Sequence, residues 1–273
     1  MSTHQKTGKV IIAGAGPGDP DLITIKTVKA LAQAEVILVD RLVSEEILHR
    51  YAAPTAQIVY VGKQCRSYGT TPQATINELL VEFGLLGKQV VRLKGGDVSI
   101  FSNVLDELQA LVAHEIPYEI IPGITAALGA AAYAGIPLTA RQHSTAVRFL
   151  TFYTYSKLTD GYWQELTQTE DTLVFYMSSE RLGEVVEKLT RHGISEEKQL
   201  AVVEQATTPL QHVHVSSLYD FEQNLAGKTF VSPSLVIIGK VVNLHQEFKW
   251  FTNNPTREYY FKPVSEQVSL VLQ

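Results

Sequence analysis

KVIIAGAGPGDPDLITIKTVKALAQAEVILVD, Lys9 to Asp40, decides the class of fold. Lys9 to Ala13 is an apolar run of strand length that stops at a glycine loop, Gly14 to Asp19. Asp21 to Ala34 then carries Leu22, Ile25, Val28 and Leu31 at helical spacing, which predicts a helix with those residues on one side. Val36 to Val39 is a second strand, apolar at every position and ended by Asp40. A strand, a crossover helix and a strand apolar on both faces form a βαβ unit, and hence an α/β protein with a covered parallel sheet.

The pattern repeats downstream. Ser44 to Tyr51 reads as a short helix with a serine N-cap, and Gln57 to Val61 as a third strand. Thr71 as N-cap and Pro72 as first helical residue open a helix in which Ile76, Leu79, Leu80 and Phe83 recur at helical spacing. Gln89 to Leu93, Ser102 to His114 and Tyr118 to Ile121 follow as strand, helix and strand. Thr125 to Gly135 is an alanine-rich helix suited to close packing, and the domain hinge is placed there. Beyond it, Ala146 to Phe152, Thr172 to Met177, Leu200 to Glu204, His212 to Ser216 and Leu235 to Ile238 read as strands, with a helix at Leu182 to His192. A hairpin through Thr207, Thr208 and Pro209 gives this half an antiparallel character. The expected division is 1–124, 125–244 and an aromatic extension, 245–273, that packs on the surface or on a partner.

With 273 residues, 45% of them hydrophobic, the chain has material for one large or two modest cores. A net charge of -5 without a basic run argues against a nucleic-acid partner. One cysteine, Cys65, leaves no Cys cluster for a metal. His212 and His214 share a strand face but lack a third ligand, so they read as two surface histidines. The start of the chain is polar and no apolar run reaches the roughly 18 residues of a membrane span. A soluble cytoplasmic protein without a membrane partner is the expectation.

In open α/β sheets ligands bind outside the carboxyl ends of the strands. All five N-terminal strands end in special residues: Gly14 to Asp19, Asp40-Arg41, Gly62-Lys63, Gly95-Gly96-Asp97 and Pro122-Gly123-Ile124-Thr125. Gly14 to Asp19 admits a close backbone approach to a ligand or simply a tight turn. It is not a dinucleotide fingerprint, because the glycines run G-x-G-x-G with Pro17 between them, where that motif needs G-x-G-x-x-G. Gly95-Gly96-Asp97 suits an amine or a ribose diol beside a carboxylate, or a plain turn.

Taken together, GAGPGDPDLIT at Gly14, VDRLVS at Val39, YVGK at Tyr60, VVRLKGGD at Val90 and IPGITAALGAAAYAGIPLT at Ile121 resemble the uroporphyrinogen III methyltransferase group of the tetrapyrrole methylases. FYM at Phe175, VVEQATTP at Val202 and SPSLVIIGKVV at Ser232 extend the resemblance to about Leu244. It implies two α/β domains of the tetrapyrrole methylase type with the active site in the cleft between them, and a homodimer. It further implies S-adenosyl-L-methionine as methyl donor, with S-adenosyl-L-homocysteine as product, while the lack of a Cys/His cluster predicts no metal. The cofactor contacts carried over are Pro17, Gly95, Gly96, Asp97, Ile100, Thr125, Ala126, Met177 and Ala206. Asp40 matches the family's proposed proton acceptor and Lys63 its proposed proton donor, while Arg41, Arg66, Asn103, Asp106, Thr139 and Arg141 fall where the substrate is expected. The implied reaction is two successive C-methylations of uroporphyrinogen III to precorrin-2, the branch point toward sirohaem and cobalamin. Methylating a pyrrole carbon creates a cation that must lose a proton, hence a carboxylate base. Basic residues meet the substrate carboxylates.

The resemblance breaks after GGD. Relatives continue with G-R-G-G-E-E, whereas this chain has Ser102-Asn103-Val104-Leu105-Asp106-Glu107, so Asn103 replaces an arginine. Ser178 and Ala206 replace family glycines. Asn103 leaves open a methylase of another tetrapyrrole, or a remodelled loop with Ser102 capping a helix, Leu105 packed inward and Asn103 in solvent. A non-catalytic protein binding a tetrapyrrole or the cofactor is the third alternative, since fold does not fix function.

Overall fold

The computed structural model describes residues 7–62, 71–152 and 158–261. The chain forms two compact units, the first running to Thr125 and including Tyr260 and Phe261, the second Ala126–Tyr259.

The first unit is a five-stranded sheet of β1 (Lys9–Gly14), β2 (Val36–Val39), β3 (Gln57–Tyr60), β4 (Gln89–Lys94) and β5 (Tyr118–Ile121) in the order β3-β2-β4-β1-β5. Every pairing is parallel. Helices α1 (Ile25–Leu31), α2 (Glu45–Tyr51), α3 (Gln73–Leu85) and α4 (Val104–Ala113) cover it. Strand alternation divides the core in two. Leu31, Ile37, Ile47, Val91 and Leu93 pack on one face, and Val10, Ile12, Leu38, Ile76, Leu80 and Leu111 on the other.

Three local expectations are corrected. The stretch from Asp21 is not one helix: Asp19 caps a 3-10 turn at Pro20–Leu22, Ile23 is extended, and α1 starts afresh after Thr24, whose hydroxyl accepts from the Thr27 N–H. That break resets the helical phase and leaves Ile25 75% exposed rather than inward. Ser44 precedes α2 but makes no side-chain cap bond; its hydroxyl meets Tyr260 Oη at 2.8 Å. Pro72 is itself the N-cap of α3, one position later than Thr71.

The second unit has a mixed sheet of β6 (Val147–Thr151), β7 (Thr172–Tyr176), β8 (Gln199–Glu204), β9 (His212–Ser217) and β10 (Ser234–Gly239), ordered β6-β7-β10-β8-β9. β6 and β7 are parallel and the remaining pairs antiparallel, including the β8–β9 hairpin. Its helices are α5 (Ala126–Ala134), α6 (Asp160–Gln168) and α7 (Leu182–Arg191). The sequence reading has no counterpart of α6, which is capped by Thr159 and buries Trp163 and Leu166 in a core with Leu173, Phe175, Val185 and Val236. No helix among the described residues is long and apolar enough to cross a membrane.

Candidate active site

In the first unit the strand ends converge through backbone. Gly16 and Gly96 exchange hydrogen bonds at 3.2 and 2.7 Å, and Asp40 N–H donates to Leu93 O at 3.0 Å. A Cβ on Gly14 would lie 2.6 Å from Gly96 O and 2.7 Å from Gly123 Cα, and one on Gly123 would lie 2.3 Å from Gly96 O. Glycine is therefore required at 14 and 123 so that three loops can touch, whatever else binds there. Asp97 fastens the junction, one oxygen accepting from Ser99 N–H at 2.8 Å and the other from Gly123 N–H at 2.9 Å. Burial pushes this carboxyl up, but the bonds from Ser99 and Gly123 outweigh burial and hold it below the ordinary aspartate range. Pro17 and Thr125 are buried beside the junction residues in sequence, while Gly95, Gly96 and Ile100 are half-buried.

Asp40, at the end of β2, is held by a buried cation. Arg92 Nη2 donates to Asp40 Oδ1 at 2.6 Å, and Arg92 Nε donates to Glu107 Oε1 at 3.0 Å. Lys94 Nζ reaches the same Glu107 oxygen at 2.9 Å. Arg92 and Lys94 project from one face of β4 into the apolar layer under α4, where both are almost wholly buried and Glu107 is fully so. Burial works against the Arg92 charge, yet Asp40 and Glu107 outweigh it and the net shift is upward. For Lys94 burial prevails, reinforced by Arg92, and the ammonium is shifted down. Asp40 remains 28% exposed at the side chain. The sequence reading missed Arg92, Lys94 and Glu107. Two cations at i and i+2 of a strand, with an acid early in the next helix, would have been the signal.

The Ser102–Glu107 stretch differs from the capped-helix alternative. Ser102 Oγ turns back to Val98 O, Asn103 is the N-cap residue in left-handed backbone (φ 57°, ψ 37°), and Leu105 is 61% exposed. Glu107 takes the inward position because it meets two buried cations there. Asn103 is exposed, as that alternative had it, and its amide donates to Asp106 at 2.9 Å and Gln73 at 3.4 Å. Arg41 is half-buried next to Asp40 in sequence. Lys63, Cys65 and Arg66 lie outside the described residues.

In the second unit, Ala127 N–H donates to Tyr176 Oη at 3.1 Å, which brings Ala126 at the start of α5 alongside the end of β7. Tyr176 and Val203 are both registered on Leu235 of β10, so Met177 and the Gln205–Ala206 turn leave the same sheet edge two strands apart, roughly 10 Å. Met177 and Gln205 both have left-handed backbone, at φ 54° and 46°, and Met177 is 45% exposed. Such outliers concentrate at functional positions. Thr139 and Arg141 are exposed, and Thr139 lines an apolar groove with Leu128, Pro137 and Phe248. His212 and His214 are not free surface groups: their rings lie 4.3 Å apart and His214 Nε2 is 3.3 Å from the buried Glu204. Among the described residues no group of three or more His, Cys, Asp or Glu could hold a metal ion.

The family model for Tetrapyrrole (Corrin/Porphyrin) Methylases matches residues 9–222. A siroheme synthase of Pseudomonas aeruginosa is 46% identical over 248 residues, 91% of this chain and 53% of that protein. The chain thus spans about half the length of the curated relatives it matches. Uroporphyrin-III C-methyltransferase from Thermus thermophilus, solved with S-adenosylhomocysteine, aligns at TM-score 0.72 and 31% identity, covering 87% of this chain and 94% of that one. A cobalt precorrin-4 methyltransferase aligns at TM-score 0.76 and 25% identity, covering 86% of this chain and 95% of that one. With the family pattern running from β1 through β9 and both sheets in place, the chain belongs to the tetrapyrrole methylases.

Proposed function

We propose that this chain transfers methyl groups from S-adenosyl-L-methionine to pyrrole carbons of uroporphyrinogen III, two in succession, yielding precorrin-2. The observation that carries this reading is Asp40 at the end of β2, part-exposed and gripped by Arg92, beside the Gly95-Gly96-Asp97 turn. The half-buried, side-chain-free Gly95-Gly96 turn suits close approach of a cofactor that carries a ribose. Pro17, Gly95, Gly96, Asp97, Ile100, Thr125, Ala126, Met177 and Ala206 are the contacts that the family resemblance assigns to it. When bound, S-adenosylmethionine supplies a methyl group already activated by its sulfonium. The residues then orient the pyrrole, exclude water and manage one proton. Asp40 accepts the proton that the cationic methylated tetrapyrrole must lose from a site other than the methylated carbon, and Lys63 serves as donor. Arg41, Arg66 and Arg141 meet the propionate and acetate groups.

Calorimetry with S-adenosylhomocysteine should give one site per chain, unaffected by chelator, on a species whose light-scattering mass is that of a homodimer. Binding abolished by chelator, or a monomeric mass, would contradict the respective part.

The replacement of arginine by Asn103 favours a second reading, a methylase of a different tetrapyrrole. Restoring the base by Asn103→Arg should tighten uroporphyrinogen III binding by about 1 kcal/mol with cofactor affinity unchanged. The left-handed backbone at 103 suits asparagine, so the same change should lower stability by roughly 1 kcal/mol. Michaelis constants measured beside urea unfolding check both. A variant that handles uroporphyrinogen III worse than wild type would support the second reading.

A further inference from the structure

The loop joining β8 to β9, residues 205–211, is buried yet polar: Gln205, Thr207, Thr208 and Gln211 are each at most 3% exposed. Gln205 and Thr207 hold left-handed backbone, at φ 46° and 66°. For a β-branched threonine this is a genuine outlier, and it persists only where surrounding contacts over-determine it. Some of those contacts are internal. Thr207 N–H donates to Gln211 Oε1 and Thr208 Oγ1 to Gln205 O, both at 2.8 Å.

Gln205 N–H also donates to Pro233 O at 2.7 Å, and a further restraint comes from the chain after residue 244, beyond the stretch that the family pattern covers. Asn254 uses all four of its polar groups. Its N–H donates to Gln211 O at 3.1 Å, its Nδ2 to Pro209 O at 2.9 Å, its carbonyl pairs with His212 Nδ1 at 3.0 Å, and its Oδ1 accepts from Thr256 N–H at 2.8 Å. The Asn253 amide pairs with both backbone groups of Val213, at 3.0 and 3.1 Å, as an added strand would. Gln205 Nε2 donates to Glu258 O at 2.9 Å. Upstream, the same segment is anchored on α5. Trp250 Nε1 donates to Ala132 O at 2.9 Å, the Trp250 and Tyr133 rings lie 5.0 Å apart, and His245 Nδ1 is bonded to Ala134 O. The approach is close enough that a Cβ on Gly135 would sit 2.3 Å from Phe248 O.

We infer that residues 245–258 are a strap that holds the 205–211 loop in its binding conformation, with Asn254 its principal positioning residue. This rests on the reading that Ala206 contacts S-adenosylmethionine. A strained loop released from its restraints relaxes, and a ligand's apparent affinity falls in proportion to the competent fraction left. Asn254→Ala removes the tie to Pro209 and the turn with Thr256. It should raise the dissociation constant of S-adenosylhomocysteine, and the Michaelis constant of S-adenosylmethionine, about tenfold. The turnover number at saturation and the Michaelis constant of the tetrapyrrole should stay within about twofold. Amide exchange should quicken across 205–211 and not along β8. Asn254→Ser, which keeps a short polar side chain, should show a smaller loss in the same direction and decides the matter if the alanine variant unfolds. Faster loop exchange with unchanged S-adenosylhomocysteine affinity would overturn the positioning role, as would a loss confined to turnover. Wild-type protein that fails to bind S-adenosylhomocysteine would instead remove the reading of the site, and that is seen before any variant is made.

Discussion

Asp40→Asn is expected to lower turnover at least about a hundredfold while S-adenosylhomocysteine binds as before. The substitution keeps the shape of the side chain and an oxygen for Arg92 Nη2, now 2.6 Å from the carboxylate. It removes the ability to take a proton. Arg92 fixes where that oxygen sits, so the loss should appear in the chemical step and not in cofactor affinity. Single-turnover rates with uroporphyrinogen III, alongside calorimetry, check this. Unchanged turnover would take Asp40 out of proton transfer, and a parallel collapse of affinity would make its role structural.

Glu107→Ala is expected to be the most destabilising single change in the first unit. Glu107 is the shared partner of Arg92 and Lys94, and its other oxygen is buried with no hydrogen-bond partner among the described residues. Removing it leaves Arg92 with Asp40 alone and takes from Lys94 its carboxylate in an apolar layer, and breaking such a buried pair costs about 3–5 kcal/mol. Thermal unfolding should shift down on the order of 10 °C. Replacing all three groups together, Arg92→Met with Lys94→Met and Glu107→Leu, should restore most of the stability, because well-packed apolar substitutes for buried ion pairs are often neutral. Turnover should stay low in that triple variant, since nothing then grips Asp40. Stability recovered together with activity would show that the cluster serves only the fold.

The five strands of the first unit lie within one residue of the apolar runs that predict them. Parallel strands covered on both faces leave an apolar signature that little else produces. That same signature concealed the cluster at Arg92. Charges in the middle of VVRLKGGD read as strand-end polarity, and only the three-dimensional meeting of β4 with α4 reveals them as buried. The helix at Asp160–Gln168 escaped because DGYWQELTQ is polar on most of its surface, with the inward side carried by Trp163 and Leu166. Ile25 and Leu105 failed for a related reason. Each sits one or two positions after a cap whose placement fixes the helix phase, and an error of one residue there rotates the inferred face by about 100°. Positions at strand ends were legible as special because glycine, aspartate and proline are unusual there. What each does was less so, as with Asp97, whose carboxylate fastens the loops.

Three loops meeting through Gly14, Gly96 and Gly123 have no flexible side chain between them to absorb a displacement. Mechanically they form one body, so a ligand that orders any of the three gains the order of the others without further loss of conformational entropy. Drift in one loop during sequence divergence would have to be matched in two others distant along the chain. Variation in what this unit recognises is therefore channelled into segments outside the junction, such as Ser102–Glu107.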